Sequence, residues 1–491
     1  MAHFSRKKEE SERGERETAV AIVGMSCRFA GCPSPQALWN AVMTRRSLLT
    51  PPGPDAELPF GHQALFARPY PAVLGQLGDL YSCLETYVPR SVAGAGGLHL
   101  AELNAGVNQD LYFTLQLAMD ALADAGLHVQ QSSPFRGSLR VAYSPPFNSS
   151  TMHWLQRTMF LDQAMDILRR FFPNAAAGQY EDVRRKLLDS LPETDADSLL
   201  MGSGFRFASW IARRCAFSGV ASVTDAGMLS GAVTLMEAMD DLRTGRSDVA
   251  LAGALMPPYS RAFLEGLAGM VPFSTRAELQ PFAREQFGTV PGEGGAFFVL
   301  KRRSDALREH DRIYAVIRSV AVGRNPEDDP SAVLAAALDR AGVEARTVGL
   351  VEADGSGVPE AEAREVAAIA RLWGEHRPGG ALVGVGSVKG NIGHTLNAAL
   401  AAGVVKAALA LHRRVLPPQV PTENPREELS CRDSSAYLLT EARPWLVGDS
   451  STPRRAAVIG SNFDSISCEV CGGVSGRAAA IVLEEEGEDR A

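Results

Sequence analysis

The residues best placed to do chemistry lie in a run of small side chains from Thr224 to Gly231. The β-branched residues before this run indicate the end of a strand, and the apolar residues at helical spacing after it indicate a helix. The first N–H groups of a helix have no partner inside it, and they stabilise a negative charge at the turn. A strand-to-helix turn of this kind is therefore suited to an anionic nucleophile such as a thiolate.

Further segments with distinctive sequences flank this turn on both sides. They read AIVGMSCRFAG at 21–31, DVALAG at 248–253, VPGEGG at 290–295, EADGSGV at 352–358 and VKGNIGHT at 388–395. Together with the turn, TDAGMLSG, they resemble the β-ketoacyl synthases, the condensing enzymes of fatty-acid and polyketide assembly. The resemblance extends from about Ala19 to Glu485.

A synthase of this family holds its acyl chain on a cysteine in the turn. Counted back from DVALAG, the cysteine position falls on Met228, and Asp225 takes the place of the family's aspartate. A thioether has no proton to lose and cannot become a thiolate. Ser230, two positions along the turn, would project differently and is not expected to replace the cysteine. The resemblance thus implies that the turn is retained while its nucleophile is lost. Considered without the resemblance, Met228 is typical of a methionine in a hydrophobic core.

Two histidines of the family stabilise the enolate that forms when a malonyl group loses CO2. The first falls on Asp354, where a carboxylate would repel an enolate, although an aspartate before Gly355 is also natural in a turn. The second is kept as His394, together with Lys389, in VKGNIGHT. The family's C-terminal glycine-rich loop is altered in the matching region 458–464. No catalytic residues are therefore expected, and Met228, Asp354, Lys389 and His394 are predicted to be degenerate active-site positions.

Alternating helix and strand patterns predict an α/β protein. The resemblance implies the thiolase fold, with two mixed-sheet halves in an α-β-α-β-α arrangement, although no repeat between the halves is visible in the sequence. We expect a charged arm at 1–18, one half at 19–300, a second half at 301–485 and an acidic tail at 486–491. Two helical patterns form an insert near 149–200, and another long helix is expected at 393–411.

Composition excludes several classes of function. The chain has 491 residues, 45% of them hydrophobic, and a net charge of -8, which disfavours nucleic acid as a partner. The sequence contains no run of about 20 apolar residues, so no membrane span is expected. Seven scattered cysteines predict free thiols and a cytoplasmic location. A lone CxxC at 468–471 lacks a second ligand pair, so neither a metal nor a cofactor is expected.

The resemblance implies a catalytically inactive subunit similar to a chain-length factor. Such a subunit would pair with an active ketosynthase as a heterodimer, receive substrates held by acyl carrier protein, and limit the acyl pocket by the volume that it leaves. One alternative is a decarboxylase of malonyl-type carrier-protein thioesters. Another alternative is a homodimeric scaffold that binds carrier protein.

Overall fold

An 11-stranded sheet organises the part of the chain that the structure, a computed structural model, describes. That part comprises residues 19–49, 109–144, 154–191, 203–257, 267, 271–274, 276, 278–323, 330–374, 382–430, 434–447, 452–462 and 478–487. The predicted charged arm, the CxxC and residues 463–464 of the altered glycine-rich loop lie outside these residues.

The strands of the large sheet are mostly short and buried. They are β1 (Val20–Phe29), β2 (Gly137–Ala142), β3 (Ala221–Thr224), β4 (Val249–Met256), β5 (Gly294–Arg302), β6 (Ala315–Val322), β7 (Leu350–Glu352), β8 (Val383–Gly386), β10 (Ala436–Leu438), β12 (Arg455–Ser461) and β13 (Ala478–Glu484). A separate two-stranded sheet pairs β9 (Val415–Leu416) with β11 (Arg443–Pro444). The near-continuous apolar sequence of β1 and β4 is typical of strands covered on both faces.

The order of the strands repeats from one half of the large sheet to the other. The full order is β10-β8-β7-β12-β13-β6-β1-β5-β4-β2-β3. From the centre outward, β1-β5-β4-β2-β3 matches β6-β13-β12-β7-β8, with two antiparallel pairings followed by two parallel pairings in each half. The halves join through antiparallel pairing of β1 with β6. The structure therefore contains the repeat that the sequence does not display.

Helices connect the strands and cover the sheet. They are α1 (Pro35–Met43), α2 (Gln109–Asp124), α3 (Leu161–Phe171), α4 (Ala177–Ser190), α5 (Gly204–Arg214), α6 (Ser230–Arg243), α7 (Arg303–Arg308), α8 (Pro330–Arg340), α9 (Pro359–Trp373), α10 (Lys389–Ile392) and α11 (Ala399–Arg413). A π-helical turn at Gln156–Phe160 precedes α3, and short 3-10 turns lie at Ala345–Thr347, Leu396–Ala398 and Glu427–Leu429. Ser34 caps α1, because its Oγ accepts the N–H of Ala37 at 3.2 Å.

Three hydrophobic clusters define the layers. The largest cluster lies between the two halves and includes side chains of α6 and α11 together with β1 and β12. A second cluster joins α2 and α5 to the outer face of β2, β4 and β5, and a third joins α8 and α9 to β7, β8 and β13. Helices therefore cover both faces of each half of the sheet, and this architecture confirms the predicted α/β thiolase fold. The predicted boundary between 300 and 301 stays a prediction, as do the limits of the arm, the insert and the tail.

The helix predicted at 393–411 is shorter than its apolar pattern indicates. Gly393 and Leu396 both have positive φ, at 79° and 39°, so α11 begins only at Ala399. The N–H of His394 donates to the carbonyl of Val290 at 2.7 Å instead of to a helical partner. The prediction was wrong over 393–398 because tertiary contacts hold these residues out of the helix.

Candidate functional site

The turn after β3 has the strand-to-helix geometry expected from its small residues. Gly227 has φ 61°, a backbone conformation that favours glycine, and its N–H donates to Oδ1 of Asp225 at 3.1 Å. A Cβ at this position would lie 3.1 Å from Oδ1 of Asn462. The turn therefore needs glycine both for its conformation and for the approach of Asn462.

Met228 lies on this turn with its side chain packed inside the protein. It is 4% exposed and belongs to the central hydrophobic cluster, which also contains Leu396 and Leu400. Its N–H donates to Oδ1 of Asn462 at 3.0 Å, which ties the turn to the end of β12. An apolar thioether that cannot ionise thus occupies the position that the sequence predicts to be that of the family's cysteine.

Ser230 uses its hydroxyl to hold the turn. Its Oγ accepts the N–H of Ala226 at 2.8 Å and donates to the carbonyl of Gly227 at 2.5 Å, and the residue is fully buried. A hydroxyl engaged in this way closes the turn at the start of α6. Its donor and acceptor roles are filled by the backbone of the turn itself.

A chain of side-chain hydrogen bonds joins the turn to the segment after His394. Oγ of Ser144 donates to Oδ2 of Asp225 at 2.8 Å, and Nδ2 of Asn397 donates to Oγ of Ser144, also at 2.8 Å. A Cβ at Gly231 would meet the carbonyl of Asn397 at 3.4 Å. The start of α6 therefore packs closely on the residues that lead into α11.

Three of the parallel strands deliver the remaining site residues to one edge of the sheet. β7 pairs in parallel with β8 and with β12, so their carboxyl ends lie together. Asp354 follows β7, Lys389 and His394 follow β8, and Asn462 follows β12. Because Asn462 also binds the backbone of Met228, the structure brings the turn of β3 to the same edge.

Asp354 and Lys389 form a buried ion pair. Nζ of Lys389 lies 2.7 Å from Oδ1 of Asp354 and donates to the carbonyl of the same residue, also at 2.7 Å. The two side chains are only 6% and 5% exposed. The same Asp354 carbonyl accepts the hydroxyl of Ser387 at 2.9 Å. The carboxylate of Asp354, the position predicted to correspond to the family's first histidine, is therefore paired with a neighbouring cation rather than left as a bare negative charge.

Two buried carboxylates of α9 hold the loop that carries Asp354. Glu365 accepts the N–H groups of Asp354 and Gly355 at 2.5 and 2.9 Å, and Glu362 accepts the N–H of Gly357 at 2.8 Å. Burial raises the pKa of Glu365 to about 8 and that of Glu362 to about 7. The negative charge of Asp354 adds to both shifts, and the backbone hydrogen bonds oppose them.

His394 is fully buried and neutral. Its Nδ1 accepts the N–H of Leu396 at 3.1 Å, so the proton of the neutral ring lies on Nε2. Burial, with a contribution from the positive charge of Lys389, holds the pKa of His394 well below its usual range. The backbone carbonyl of His394 accepts the N–H of Gly292 at 2.9 Å. This geometry fixes a neutral imidazole whose Nε2–H is a hydrogen-bond donor.

A second buried ion pair joins α11 to the same edge of the sheet. Nζ of Lys406, in the middle of α11, lies 2.7 Å from Oε2 of Glu352, and both side chains are at most 2% exposed. Oε1 of Glu352 accepts the N–H of Val388 at 2.6 Å. Burial raises the pKa of Glu352, and the charge of Lys406 opposes this shift. The pair therefore connects α11, the end of β7 and the start of the Lys389 segment.

The described part of the chain offers no substitute thiol at this site. Cys27, Cys32 and Cys215 are free and buried. Burial raises the pKa of Cys32 and Cys215 to about 12, and it raises that of Cys27 as well. Such thiols stay protonated at neutral pH and are poor nucleophiles.

Two absences hold for the described ranges only. No group of three or more His, Cys, Asp or Glu side chains there is placed to bind a metal ion. Nor does any helix in those ranges have the length and apolar character needed to cross a membrane.

Sequence reasoning named Met228, Asp354, Lys389 and His394 but missed the residues that hold them. Glu362 and Glu365 lie in a helix rich in charged residues, where solvent exposure is the ordinary expectation. Asn462 lies within the altered loop at 458–464, where the loss of the family's pattern left no motif to single it out. The match of EADGSGV to the family was the one signal that pointed to Glu352.

Comparisons with known proteins agree with this architecture. The sequence model of the β-ketoacyl synthase N-terminal domain matches residues 17–151 and 175–306, and that of the C-terminal domain matches residues 316–423. Residues 152–174, within the predicted insert, are unmatched. The chain is 30% identical over 462 residues to a mycocerosic acid synthase-like polyketide synthase of Mycobacterium tuberculosis, covering 90% of this chain and 19% of that protein.

A second relative is the spectinabilin polyketide synthase system protein NorA′ of Streptomyces orinoci. It is 35% identical over 293 residues, which cover 58% of this chain and 8% of that protein. The chain thus spans less than a fifth of the length of these two relatives.

Solved structures share the fold. The oxazolomycin ketosynthase domain OzmH KS7 of Streptomyces albus aligns with TM-score 0.73 and 23% identity, covering 96% of this chain and 76% of that chain. A PfaC ketosynthase–chain length factor structure aligns with TM-score 0.73 and 23% identity over 95% of this chain and 48% of that chain. From the domain matches and the shared architecture, the chain belongs to the β-ketoacyl synthase family.

Proposed function

We propose that the chain is a ketosynthase-like subunit that does not condense acyl groups itself. It pairs with an active ketosynthase in polyketide or fatty-acid-type biosynthesis, where substrates arrive on acyl carrier protein. The observation that carries this proposal is the buried, non-ionisable Met228 at the turn where the family needs a thiolate. Without a thiolate no thioester forms at this position, so the chain cannot hold a growing acyl group there.

The pairing of Asp354 with Lys389 supports the same proposal. Condensation in the family uses two imidazole donors, and one of the two positions holds a carboxylate tied to a cation at 2.7 Å. An ion pair of this kind offers no N–H donor equivalent to imidazole Nε2. One structural neighbour, from PfaC, is a ketosynthase–chain length factor, and we infer a chain-length-factor role for the present chain.

In this role Met228 would set the pocket by its volume. We expect Met228→Ala, coexpressed with the active ketosynthase and its carrier protein, to shift the products toward longer chains, because the truncation leaves a cavity beside the pocket. The measurement is the distribution of carrier-bound products by mass spectrometry. Met239→Ala is the matched control, because Met239 is 1% exposed in α6, the helix that follows the turn, and belongs to the same hydrophobic cluster as Met228.

Equal product distributions for Met228→Ala and Met239→Ala would contradict the proposed role of Met228. Failure of the wild-type chain to copurify with any ketosynthase would contradict the pairing itself. A homodimeric scaffold that binds carrier protein would then be one of the two remaining interpretations, with the decarboxylase considered below.

A decarboxylase of malonyl-type carrier thioesters is the second candidate, and the geometry of His394 favours it. A neutral imidazole with its proton on Nε2 can donate to an enolate oxygen without a thiolate. The purified chain alone, incubated with malonyl carrier protein, would then release CO2, and His394→Ala would abolish the release. On the principal proposal, CO2 release stays at the background rate in both proteins.

A further inference from the structure

Aromatic rings support several arginine side chains on the part of the surface around the end of α11. The guanidinium carbon of Arg413, the last residue of α11, lies 5.2 Å from the centre of the Trp39 ring. The guanidinium carbon of Arg312 lies 4.6 Å from the centre of the Tyr314 ring. A guanidinium group is attracted to the face of an aromatic ring and stacks on it. Each ring therefore restricts the positions that its guanidinium group can take.

A third arginine on a ring adjoins the first two. β11 pairs with β9, which directly follows α11, and this pairing places Arg443 opposite Leu416. The guanidinium carbon of Arg443 lies 5.6 Å from the centre of the Tyr437 ring. The carbonyl of Arg414 accepts the N–H of Trp445 at 2.8 Å. These contacts join β11 to the end of α11, so Arg443 belongs to the same part of the surface.

This surface, called the arginine face below, comprises Arg312, Arg413, Arg414 and Arg443. Arg413 and Arg443 are exposed, and neither forms an ion pair with a carboxylate of the described residues. The side chain of Arg413 donates instead to the side-chain oxygen of Gln36, which is uncharged. Two guanidinium groups that are oriented by rings but not neutralised can thus accept an anionic partner.

Acidic side chains near the arginine face do not cancel its positive charge. In the described ranges the carboxylates on or beside it are Asp124, Glu441 and Glu485. Asp124 pairs with Arg312 at 2.7 Å. Glu485 lies 3.5 Å from Arg414 but also 2.8 Å from Arg454, so two cations share it. Arginines therefore outnumber carboxylates in this part of the surface.

The pKa of His412 reflects the same positive charge. Its ring centre lies 5.0 Å from that of Tyr314. Burial lowers the pKa of His412, three neighbouring cations lower it further, and a backbone hydrogen bond with Ile313 opposes the shift. The three cations are Arg312, Arg413 and Arg414. Positive charge thus converges on one imidazole in a chain whose net charge is -8.

The arginine face lies away from the candidate functional site. α11 begins at Ala399, close to Asn397 and its hydrogen bond with Ser144 beside the turn, and ends at Arg413. The 15 residues of this helix span about 22 Å at roughly 1.5 Å per residue. A partner bound at the arginine face is therefore separated from the candidate site by about the length of α11.

We propose that the arginine face docks an acidic polypeptide segment of another protein, whose carboxylates bind the guanidinium groups of Arg413 and Arg443. A guanidinium group binds a carboxylate through two parallel N–H···O bonds, and a ring that orients the group beforehand lowers the cost of binding. Because the face lies at the far end of α11, the bound segment anchors this chain in an assembly and does not deliver substrate to the candidate site. This contact does not depend on the proposed loss of condensation.

The composition of the arginine face favours a polypeptide over a lipid surface or a nucleic acid. Binding at a bilayer combines basic residues with protruding apolar side chains, but Trp39 is 4% exposed, and Tyr314 and Tyr437 are half-buried. Among the described residues, Leu446 is the one large hydrophobic side chain exposed beside the face, and it can pack against an apolar residue of the segment. A net charge of -8 opposes binding to a phosphate backbone.

The test measures binding of a fluorescein-labelled oligoglutamate peptide to the chain by fluorescence polarisation. Arg413→Ala/Arg443→Ala should weaken binding roughly 10-fold, as expected when two surface charge pairs are lost. The matched control, Arg169→Ala/Arg185→Ala, makes the same change of charge at side chains that are 53% and 67% exposed elsewhere, and it should bind like wild type. Circular dichroism and thermal unfolding of each variant establish that it is folded.

A lysine variant separates oriented guanidinium groups from charge alone. Arg413→Lys/Arg443→Lys keeps both charges but loses the planar fork, so its binding should stay several-fold weaker than that of wild type. The proposal fails if wild type does not bind the peptide at about 0.05 M salt, if both alanine variants lose affinity equally, or if the lysine variant binds like wild type. It also fails if wild type, but not Arg413→Ala/Arg443→Ala, sediments with phosphatidylcholine–phosphatidylglycerol vesicles and does not bind the peptide, since that outcome assigns the face to a lipid surface.

Discussion

Lys389→Met is expected to destabilise the protein by about 3–5 kcal/mol, the range found when one partner of a buried ion pair is removed. The substitution leaves the carboxylate of Asp354, whose side chain is 6% exposed, without the cation that lies 2.7 Å away. Urea unfolding followed by far-UV circular dichroism measures the loss. The double variant Lys389→Met/Asp354→Leu should recover most of it, because the Asp354 carbonyl keeps the hydroxyl of Ser387 as a donor at 2.9 Å.

The matched control is an exposed ion pair of similar length. Arg169 lies 2.9 Å from Asp166, but the two side chains are 53% and 66% exposed. Arg169→Met should change the free energy of unfolding by less than about 0.5 kcal/mol. If Lys389→Met costs no more than this control, the ion pair does not hold the site, and the account of Asp354 as a neutralised carboxylate fails.

Lys406→Met is expected to have a similarly large effect with a marked pH dependence. It removes the cation 2.7 Å from Oε2 of Glu352, and burial then raises the pKa of that carboxyl further above its ordinary value. A carboxyl whose pKa is higher in the folded state binds more protons when folded, so stability falls as the pH rises toward the folded pKa. The loss should be about 3–5 kcal/mol where Glu352 must stay charged, and smaller at acidic pH.

The measurement is urea unfolding of wild type and Lys406→Met at about pH 5 and about pH 8. Glu352→Gln/Lys406→Met is the informative companion, because an uncharged amide can still accept the N–H of Val388. The double variant should be more stable than Lys406→Met at the higher pH. Its free energy of unfolding should also depend less on pH than that of Lys406→Met. A loss in Lys406→Met that is independent of pH would show that packing of the lysine stem, and not its charge, is responsible.

Alternating helix and strand patterns predicted the α/β class, and motifs predicted the thiolase fold. The strand-to-helix turn at 224–231 and VKGNIGHT at 388–395 are sufficient to suggest the family, and the structure has the corresponding α/β layers. The repeat of strand order between the halves was not visible in the sequence. It lies in how the strands pair within each half, as β1 with β5 and β6 with β13, and not in similar side chains. The start of α11 was predicted too early for a similar reason. The hydrogen bond from the N–H of His394 to the carbonyl of Val290 is a tertiary contact, which a local sequence pattern does not reveal.

Motifs in the sequence single out candidate site positions, but they do not indicate the residues that hold those positions in place. A motif match indicates which residue types stand at the positions aligned with the family's cysteine and first histidine, so Met228 and Asp354 could be singled out. It does not report that Glu365 turns inward to bind two N–H groups, because a glutamate in a charged helix has the same pattern whether it is exposed or buried. The motifs likewise named both Asp354 and Lys389 but did not indicate that the two side chains form an ion pair.

The central claim is that this chain carries no acyl group of its own at the turn after β3. The most direct measurement is intact-protein mass spectrometry of the chain after incubation with an acyl carrier thioester, with an active ketosynthase of the family as the positive control. We predict acylation of the control and an unmodified mass for this chain. An acyl adduct on this chain that peptide mapping places within residues 224–231 would contradict the account.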